Sequence, residues 1–518
     1  MPKLNLTRRQ LGTLTAVAAS GVALGLPETA VAQSGYRPDL AAKHQFRALW
    51  IATVSNIDWP SAAGLSAQQQ RTELISWLDL AVRLRLNAVF LHVRPTADAF
   101  WPSRYEPWSQ YLTGKQGVNP GYDPLAFAVA EAHKRNLELH AWFNPYHLSK
   151  QTHLGQLASE HPARQHPDWV FAYGPELYYN PGIPEVRRFV ENAILDALSG
   201  HDVDGVHFDD YFYPYPIAGQ VVPDVDTFAK YGAEFDSVQD WRRDNINKLV
   251  VEIGQRVRRA KPWVKFGISP FGIWRNRATD PRGSDTKGLQ SYDEIYADTR
   301  LWVESGWVDY IVPQLYWNIG WPLADYAKLV PWWSEQVRGT DVQLYLGEAA
   351  YRVGERGAWS NPAELSSHLT LNRNYPEVTG NVYFSAKSLR ADTLGATSQL
   401  VAEHYRHPAI TPPMDHLWHN RPRVQAPMLV RARRTGGGVE LRWESGGVHL
   451  PTSYAVYRFD GQARVQDCDF ADATHLLATI RNQWFTDATA AAGRSYTYHV
   501  TALDRLSAES EPTSCEVT

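Results

Sequence analysis

From Phe46 onward, short runs of β-branched and aromatic residues alternate with longer stretches whose apolar positions recur every three or four residues. Runs of the first kind predict strands, and stretches of the second kind predict amphipathic helices. The strand candidates are FRALWIATVS (46–55), NAVFLHVRP (87–95), ELHAWFNPY (138–146), DGVHFDDYF (204–212), KFGISPFG (265–272), DYIVPQLYW (309–317), VQLYLGEAAY (342–351) and NVYFSAKSL (381–389). Helical patterns lie between them, among them TELISWLDLAVRL (72–84), DPLAFAVAEAHKR (123–135), EVRRFVENAILDAL (185–198) and NINKLVVEIGQRVRRA (245–260). Eight strands alternating with helices predict an α/β fold in which a parallel sheet closes into a (β/α)8 TIM barrel over residues 44–405. A doubly wound open sheet is the competing architecture, but no Gly-x-Gly-x-x-Gly follows any strand.

After Tyr405 the pattern changes. Prolines at 408, 412, 413, 422 and 427 mark a linker over 406–422. Six runs of strand length then follow within 423–518: PMLVRA (427–432), GVELRWES (438–445), SYAVYRFD (453–460), HLLATI (475–480), WFTD (484–487) and SYTYHVTALD (495–504). Their close spacing predicts a second, all-β domain, and the pattern resembles a fibronectin type III sandwich, with Trp443 on its second strand and the YTYHV tyrosines near its corner.

The first 32 residues read differently. Arg8 and Arg9 precede an apolar stretch of small residues from Leu11 to Leu26, and Ala30-Val31-Ala32 offers a cleavage site before Gln33. That pattern predicts a signal peptide resembling a twin-arginine leader, hence an exported protein of the periplasm or the extracellular space. A membrane span is disfavoured by the shortness of the run and its Gly and Ala content. No cysteine follows it to carry a lipid. The only two cysteines, Cys468 and Cys515, become a candidate disulfide in an oxidising compartment.

Composition narrows the ligand. Twenty Trp and 26 Tyr exceed what core packing requires, and such rings suit the apolar faces of sugars. The formal net charge of -4, with both signs interspersed, offers no basic footprint for nucleic acid.

In a barrel of this kind, reacting groups come from the C-terminal ends of several strands. Those ends carry Asn56, Asp58 and Trp59; His92 and Arg94; Asn144 and His147; His207, Asp209, Asp210 and Tyr211; Trp274 and Arg275; Gln314, Tyr316 and Trp317; Glu348; and Lys387. Alternation along the fourth strand directs His207, Asp209 and Tyr211 to one side and leaves Asp210 at the rim. Two neighbouring carboxyls raise each other's cost of ionisation, which suits general acid chemistry, and cleavage of a glycosidic bond needs two such groups. Adjacent residues seldom reach both sides of a sugar, so the expectation is one catalytic strand-four aspartate with a partner from Asp285, Asp293 or Glu348. The bland alternative is that Asp209 and Asp210 cap a helix or pair with Arg94 and Arg275. Arg94 and Lys387 would neutralise a substrate acid or pair with Asp98 and Asp209.

His92, His140, His147 and His207 raise the question of a metal, but their spacing matches no zinc-ligand pattern, so no metal or cofactor is expected. Trp59, Trp101, Trp142, Trp274 and Trp317 are candidate stacking platforms. Residues 161–190 and 274–300 are long, aromatic insertions that predict groove walls, which suits a polysaccharide substrate.

Taken together, FRALWIATVSNIDWP, AWFNPYH, DGVHFDDYFYPYP, GISPFGIWRNR and SGWVDYIVPQLYW resemble the bacterial glycosyl-hydrolase-like 10 family, formerly a domain of unknown function, over roughly residues 44–400. The resemblance implies a glycoside-hydrolase-like barrel acting on peptidoglycan glycan strands stripped of their peptides. It implies that Asp209, Asp210, Asn144, Trp274, Arg275, Gln314 and Tyr316 line the site. The alternatives are a silent glycan-binding scaffold of the envelope and a metal-dependent polysaccharide deacetylase.

Overall fold

The computed structural model describes residues 42–418, 420–461 and 465–518, so the N-terminal leader pattern lies outside the described residues. Eight parallel strands close on themselves: β1 (Phe46–Ile51), β2 (Ala88–Arg94), β3 (Glu138–Phe143), β4 (Gly205–Phe208), β5 (Lys265–Ile268), β6 (Tyr310–Ile311), β7 (Gln343–Glu348) and β8 (Val378–Tyr383). β1 pairs with both β2 and β8, which completes the barrel. Each of the eight predicted strands is present. The eighth is displaced: it starts at Val378, and AKSL belongs to the helical turn Ala386–Ala391, because a period-two reading does not separate a short strand from the helix that follows.

One principal helix follows each strand: α1 (Ala67–Arg83), α2 (Pro124–Lys134), α3 (Pro184–Gly200), α4 (Val238–Ala260), α5 (Thr299–Glu304), α6 (Tyr326–Val337), α7 (Glu364–Asn372) and α8 (Ala396–His404). Their starts follow local chemistry. Ser66 and Gln69 form a reciprocal capping box at α1, and Asp123 caps α2 ahead of Pro124, whose missing N–H would be unpaired there in any case. Apolar faces such as Val186, Val190, Ile194 and Ala197 of α3 bury against the outside of the barrel.

The barrel interior is filled rather than open. Inward positions carry Phe46, Trp50, Phe90, His140, His207, Tyr310 and Tyr345, with Phe46 stacked on Tyr345 at 4.2 Å and His207 stacked on Tyr310 at 5.9 Å. Small residues make room for these large ones. A Cβ on Gly205 would lie 2.2 Å from the His140 ring, and one on Gly267 would lie 2.2 Å from the Tyr310 ring.

The C-terminal domain consists of two sheets. One is three-stranded, from β9 (Gln425–Thr435), β10 (Gly438–Gly446) and β13 (Trp484–Asp487); the other has the order β12 (Leu476–Ile480), β11 (Ser453–Asp460), β14 (Tyr496–Leu503), β15 (Thr513–Val517). The six predicted strands are present, and β15 adds a seventh. The proline-rich connection between the domains is not an exposed tether. Met414 and Leu417, joined by Leu506 from the C-terminal domain, pack into the lower end of the barrel with Phe46, Tyr310 and Tyr345. Thr411 donates to Glu138 at 2.9 Å, and Arg505 pairs with Asp202 and Asp204. Cys468 and Cys515 are both free, so the candidate bridge is not formed: the strand ladder fixes Cys515 opposite Tyr498, while Cys468 sits in the exposed turn before β12. Among the described residues no helix is long and apolar enough to cross a membrane.

Candidate active site

The two strand-four carboxyls sit where the filled interior ends. Period-two geometry points Gly205, His207 and Asp209 toward the barrel axis, and Phe208 outward into the helix layer. Asp209 and Asp210 then follow the last strand residue, at the C-terminal mouth, with only 6% and 5% of their surfaces exposed.

They turn to opposite neighbours. Asp209 turns back to β3: its Oδ2 accepts from Asn144 Nδ2 at 2.6 Å and from Trp142 Nε1 at 3.2 Å, while its Oδ1 accepts from the Tyr211 N–H. Asp210 turns forward past β5: its Oδ1 accepts from Gln314 Nε2 at 3.0 Å, and its Oδ2 accepts the Tyr215 hydroxyl proton. Adjacent in sequence, the two acids are therefore anchored on different sides of the mouth. A second layer holds the anchors. His92 donates to Asn144 Oδ1 and stacks on Trp142 at 3.8 Å, and Gln314 also donates to the Ser269 carbonyl at 2.8 Å.

Burial raises both carboxyls, and the neighbouring Asp210 charge adds to the effect on Asp209, which is pushed up to about 8 despite its three donors. Burial also drives His92 down to about 3, so it is neutral and donates through one ring nitrogen. A buried acid holding its proton near neutrality beside a second carboxyl is the arrangement that protonates a leaving oxygen.

Aromatic rings surround the pair. Tyr211, 40% exposed, meets Tyr215 edge to face at 5.6 Å; Tyr215 meets Phe271, and Phe271 meets Trp317 at 5.5 Å. Tyr316, Tyr351 and Phe384 form a second group across the mouth. The insertion after β3 builds a small three-stranded sheet from His147–Ser149, Val170–Tyr173 and Glu176–Tyr179, where His147 stacks between Tyr178 and Tyr211 and lies 3.3 Å from Glu176. This sheet reaches the site through the His147–Tyr211 stack.

Several expected site residues are placed elsewhere. Glu348 is fully buried on the outer side of β7, where it accepts from Tyr326, Asn381 and His368; Tyr345 and Gly347 take the inward positions, so Glu348 faces the helices. Asp285 is exposed and paired with Lys328 at 2.5 Å. Asp293 accepts from Nε and Nη2 of Arg275, whose Nη1 goes to Asp280, so neither Arg275 nor Asp293 meets the strand-four acids. Arg94 is fully buried against Glu106 and the Asn144 and Pro145 carbonyls, and so braces the site from beneath instead of meeting substrate or pairing with Asp98. Lys387 is exposed on the helical turn after β8; its backbone N–H donates to Asp58, which also accepts from Ala52 and Ser385 and ties β1 to the end of β8.

Trp59, Trp101 and Trp274 are core residues whose indoles donate to the Gln70 carbonyl, Asp196 and Asp298 respectively. Asn56 closes a turn through the Pro60 and Tyr111 carbonyls. His207 lies in the filled interior, bonded to Trp50, Ser269 and Tyr310, and burial keeps it far below its usual pKa. His140 bonds to Glu138 and shares the Tyr310 hydroxyl with His207, and among the described residues no three His, Cys, Asp or Glu side chains converge to hold a metal. The structure thus brings together Asp209, Asp210, Asn144, His92, Trp142, Tyr211, Gln314, Tyr316 and Trp317. It adds Tyr215, Phe271, Tyr351 and Phe384, which sequence reasoning did not single out. Tyr215 alone had a signal, standing in the same FDDYFYPYP run as the acids it serves.

The family model described as Glycosyl hydrolase-like 10 matches residues 45–363. The chain is 47% identical to the glycosyl hydrolase YngK of Bacillus subtilis (strain 168) over 478 residues, covering 90% of this chain and 92% of that protein. It is 44% identical to the glycosyl hydrolase DigH of Escherichia coli (strain K12) over 361 residues, 65% of this chain and 82% of that one. Among solved structures, the glycoside hydrolase domain of PgaB (BpsB) from Bordetella bronchiseptica superposes with a TM-score of 0.45 at 13% identity, over 70% of this chain and 99% of that chain.

Proposed function

This chain belongs to the glycosyl hydrolase-like 10 family and is a glycoside hydrolase, and from that premise we propose that it cleaves the glycan strands of peptidoglycan. The observation that carries the reading of its site is the divergent anchoring of Asp209 and Asp210. Asp209, pushed up by burial and by the neighbouring Asp210 charge, holds a proton for the departing glycosidic oxygen. Asp210, steadied by Tyr215 and Gln314, works on the anomeric side, stabilising the positive charge that develops there and directing water. Tyr211, Tyr316 and Trp317 supply ring faces for the sugars flanking the cleaved bond.

A polymer fits the site better than a free sugar. The mouth carries a built wall at the insertion after β3, and its aromatic rings extend on both sides of the acids. The leader pattern of residues 1–32 supports export by the twin-arginine route, with action in the periplasm or outside the cell. We read the C-terminal domain as fibronectin type III-like. Its three-plus-four strand division, the buried Trp443 and the Tyr496 hydroxyl accepting from the Ala491 N–H at the start of β14 all support that reading.

The test is product analysis by mass spectrometry after incubation with peptide-free peptidoglycan glycan, chitin and an exopolysaccharide panel, with D209N and D210N alongside. Fragments from the peptidoglycan glycan that vanish in both variants are the expected result. Fragments from another glycan alone would transfer the assignment to that polymer. Binding without fragments would make the chain a glycan scaffold.

A further inference from the structure

A cleft on the C-terminal domain lies away from the barrel mouth. It has a volume of about 670 Å³ and opens on the outer face of the three-stranded C-terminal sheet. Its floor follows from the register of that sheet. Arg431 of β9 lies directly opposite Arg442 of β10, which lies directly opposite Trp484 of β13, so two guanidiniums and an indole stand in one row across the sheet. Side chains directly opposite on one face of an antiparallel pair sit close enough to interact, and like charges there are destabilising. The adjacent row is neutralised: Arg433 pairs with Glu440 at 3.0 Å. The Arg431–Arg442 row is not. Among the described residues neither guanidinium has a carboxylate within ion-pair distance, and Glu444, the other acid in the cleft, stands opposite Met428. Trp484 is 56% exposed beside them, although a ring of that size normally buries most of its surface.

A row with two unneutralised guanidiniums matches a carboxylate, which such groups bind in bidentate fashion. The exposed indole at its end matches the apolar face of a pyranose ring. An apolar protein partner fits poorly, because five of the ten residues lining the cleft are charged. We infer that this face is a second glycan-binding site, separate from the barrel mouth, which takes a peptidoglycan strand through the free carboxylate of its lactyl ether groups, with Arg431 and Arg442 on the carboxylate and Trp484 under a sugar ring. The choice of strand rests on the substrate reading above; the demand for a carboxylate rests on the arginine row alone. A site of this kind holds the enzyme on the polymer between cleavage events and contributes through effective concentration.

The experiment measures affinity of the full chain carrying D210N for peptide-free peptidoglycan glycan, for the same strands with carboxyls reduced to alcohols, and for neutral chitin oligomers. It is repeated after adding R431A/R442A or W484A. All three positions are solvent-facing, so the variants fold. Affinity for the carboxylated strand is expected to fall at least tenfold in each variant, and carboxyl reduction is expected to cost the parent tenfold and the arginine double variant nothing further. Equal affinities across the variants overturn the inference, as does indifference of the parent to reduction. In the chain without D210N, R431A/R442A should hydrolyse short soluble fragments at the unaltered rate. Loss of that turnover would place the residues in the catalytic reaction instead, and absence of turnover from the unsubstituted chain would count against the hydrolase assignment while leaving the binding comparison readable.

Discussion

Gln314 fixes Asp210 to the body of the barrel: one amide nitrogen donates to Asp210 Oδ1 at 3.0 Å and to the Ser269 carbonyl at 2.8 Å. A residue just past the end of β4 is thereby positioned by the chain that follows β5 and β6. On the other oxygen the partner is Tyr215, from the same loop as Asp210. The acid at the rim is held from two directions before any substrate arrives.

Y215F and Q314A should therefore lower kcat on soluble glycan fragments by about 10- to 100-fold each, since a hydrogen bond to a charged group contributes roughly 1.5–3 kcal/mol. KM should change less than kcat, because the bonds orient a reacting group and do not hold sugar. Steady-state kinetics on folded variants, with thermal melting as the control, reads the difference.

D209N and D210N each remove a carboxyl with almost no change in volume. Their expected loss in kcat is about 10²- to 10⁴-fold, the usual contribution of a positioned acid or base. E348Q and D285N are the contrasting pair, and both should keep turnover per folded molecule, because Glu348 faces the helix layer and Asp285 the solvent.

The pH profile has a definite sign. If Asp209 supplies the proton, activity is full at pH values where it remains protonated and falls as pH rises through about 8. Asn144 donates to the ionised carboxylate and so lowers that pKa. N144A should move the alkaline limb upward while lowering the maximal rate. A limb that stays in place would assign the titration to another group.

Glu348 offers a stability prediction independent of catalysis. Burial alone lowers the His368 pKa, but the carboxylates of Glu348 and Glu364 more than offset it and leave the ring raised above its usual value. A histidine whose pKa rises on folding contributes stability that is fully present below its unfolded pKa and is lost as pH rises through the folded one. E348Q should thus destabilise by about 3 kcal/mol or more at pH 6, as expected on breaking a buried pair, and by less at pH 9. Denaturant unfolding at the two pH values measures the gap.

The barrel was legible because strands buried on both faces read as nearly unbroken apolar runs, and eight of them alternate with helical stretches. Asp209, Asp210, Asn144 and Gln314 were legible for a related reason: polar residues at the ends of such runs stand out. What sequence could not give was the direction of side chains after the strand ends. Trp59 and Trp274 turn into the layer between barrel and helices, and Arg94 finds Glu106 twelve positions further on, a partner no periodicity links to it. Glu348 is a different case, because alternation carried forward from Tyr345 through Gly347 places it outward. Tyr215 stayed hidden because the prolines around it break the periodicity that would assign it a side.

The packing beneath the barrel bears on how the molecule holds together under stress. Met414, Leu417 and Leu506 close the lower end against Phe46, Tyr310 and Tyr345, and Leu506 comes from the far end of the chain. Removing the chain after Tyr405 would leave those rings open to water, so the catalytic half is expected to be less stable alone than within the full chain. The C-terminal domain thus serves as a plug for the barrel floor, and its loss is expected to weaken an enzyme whose acids it never touches.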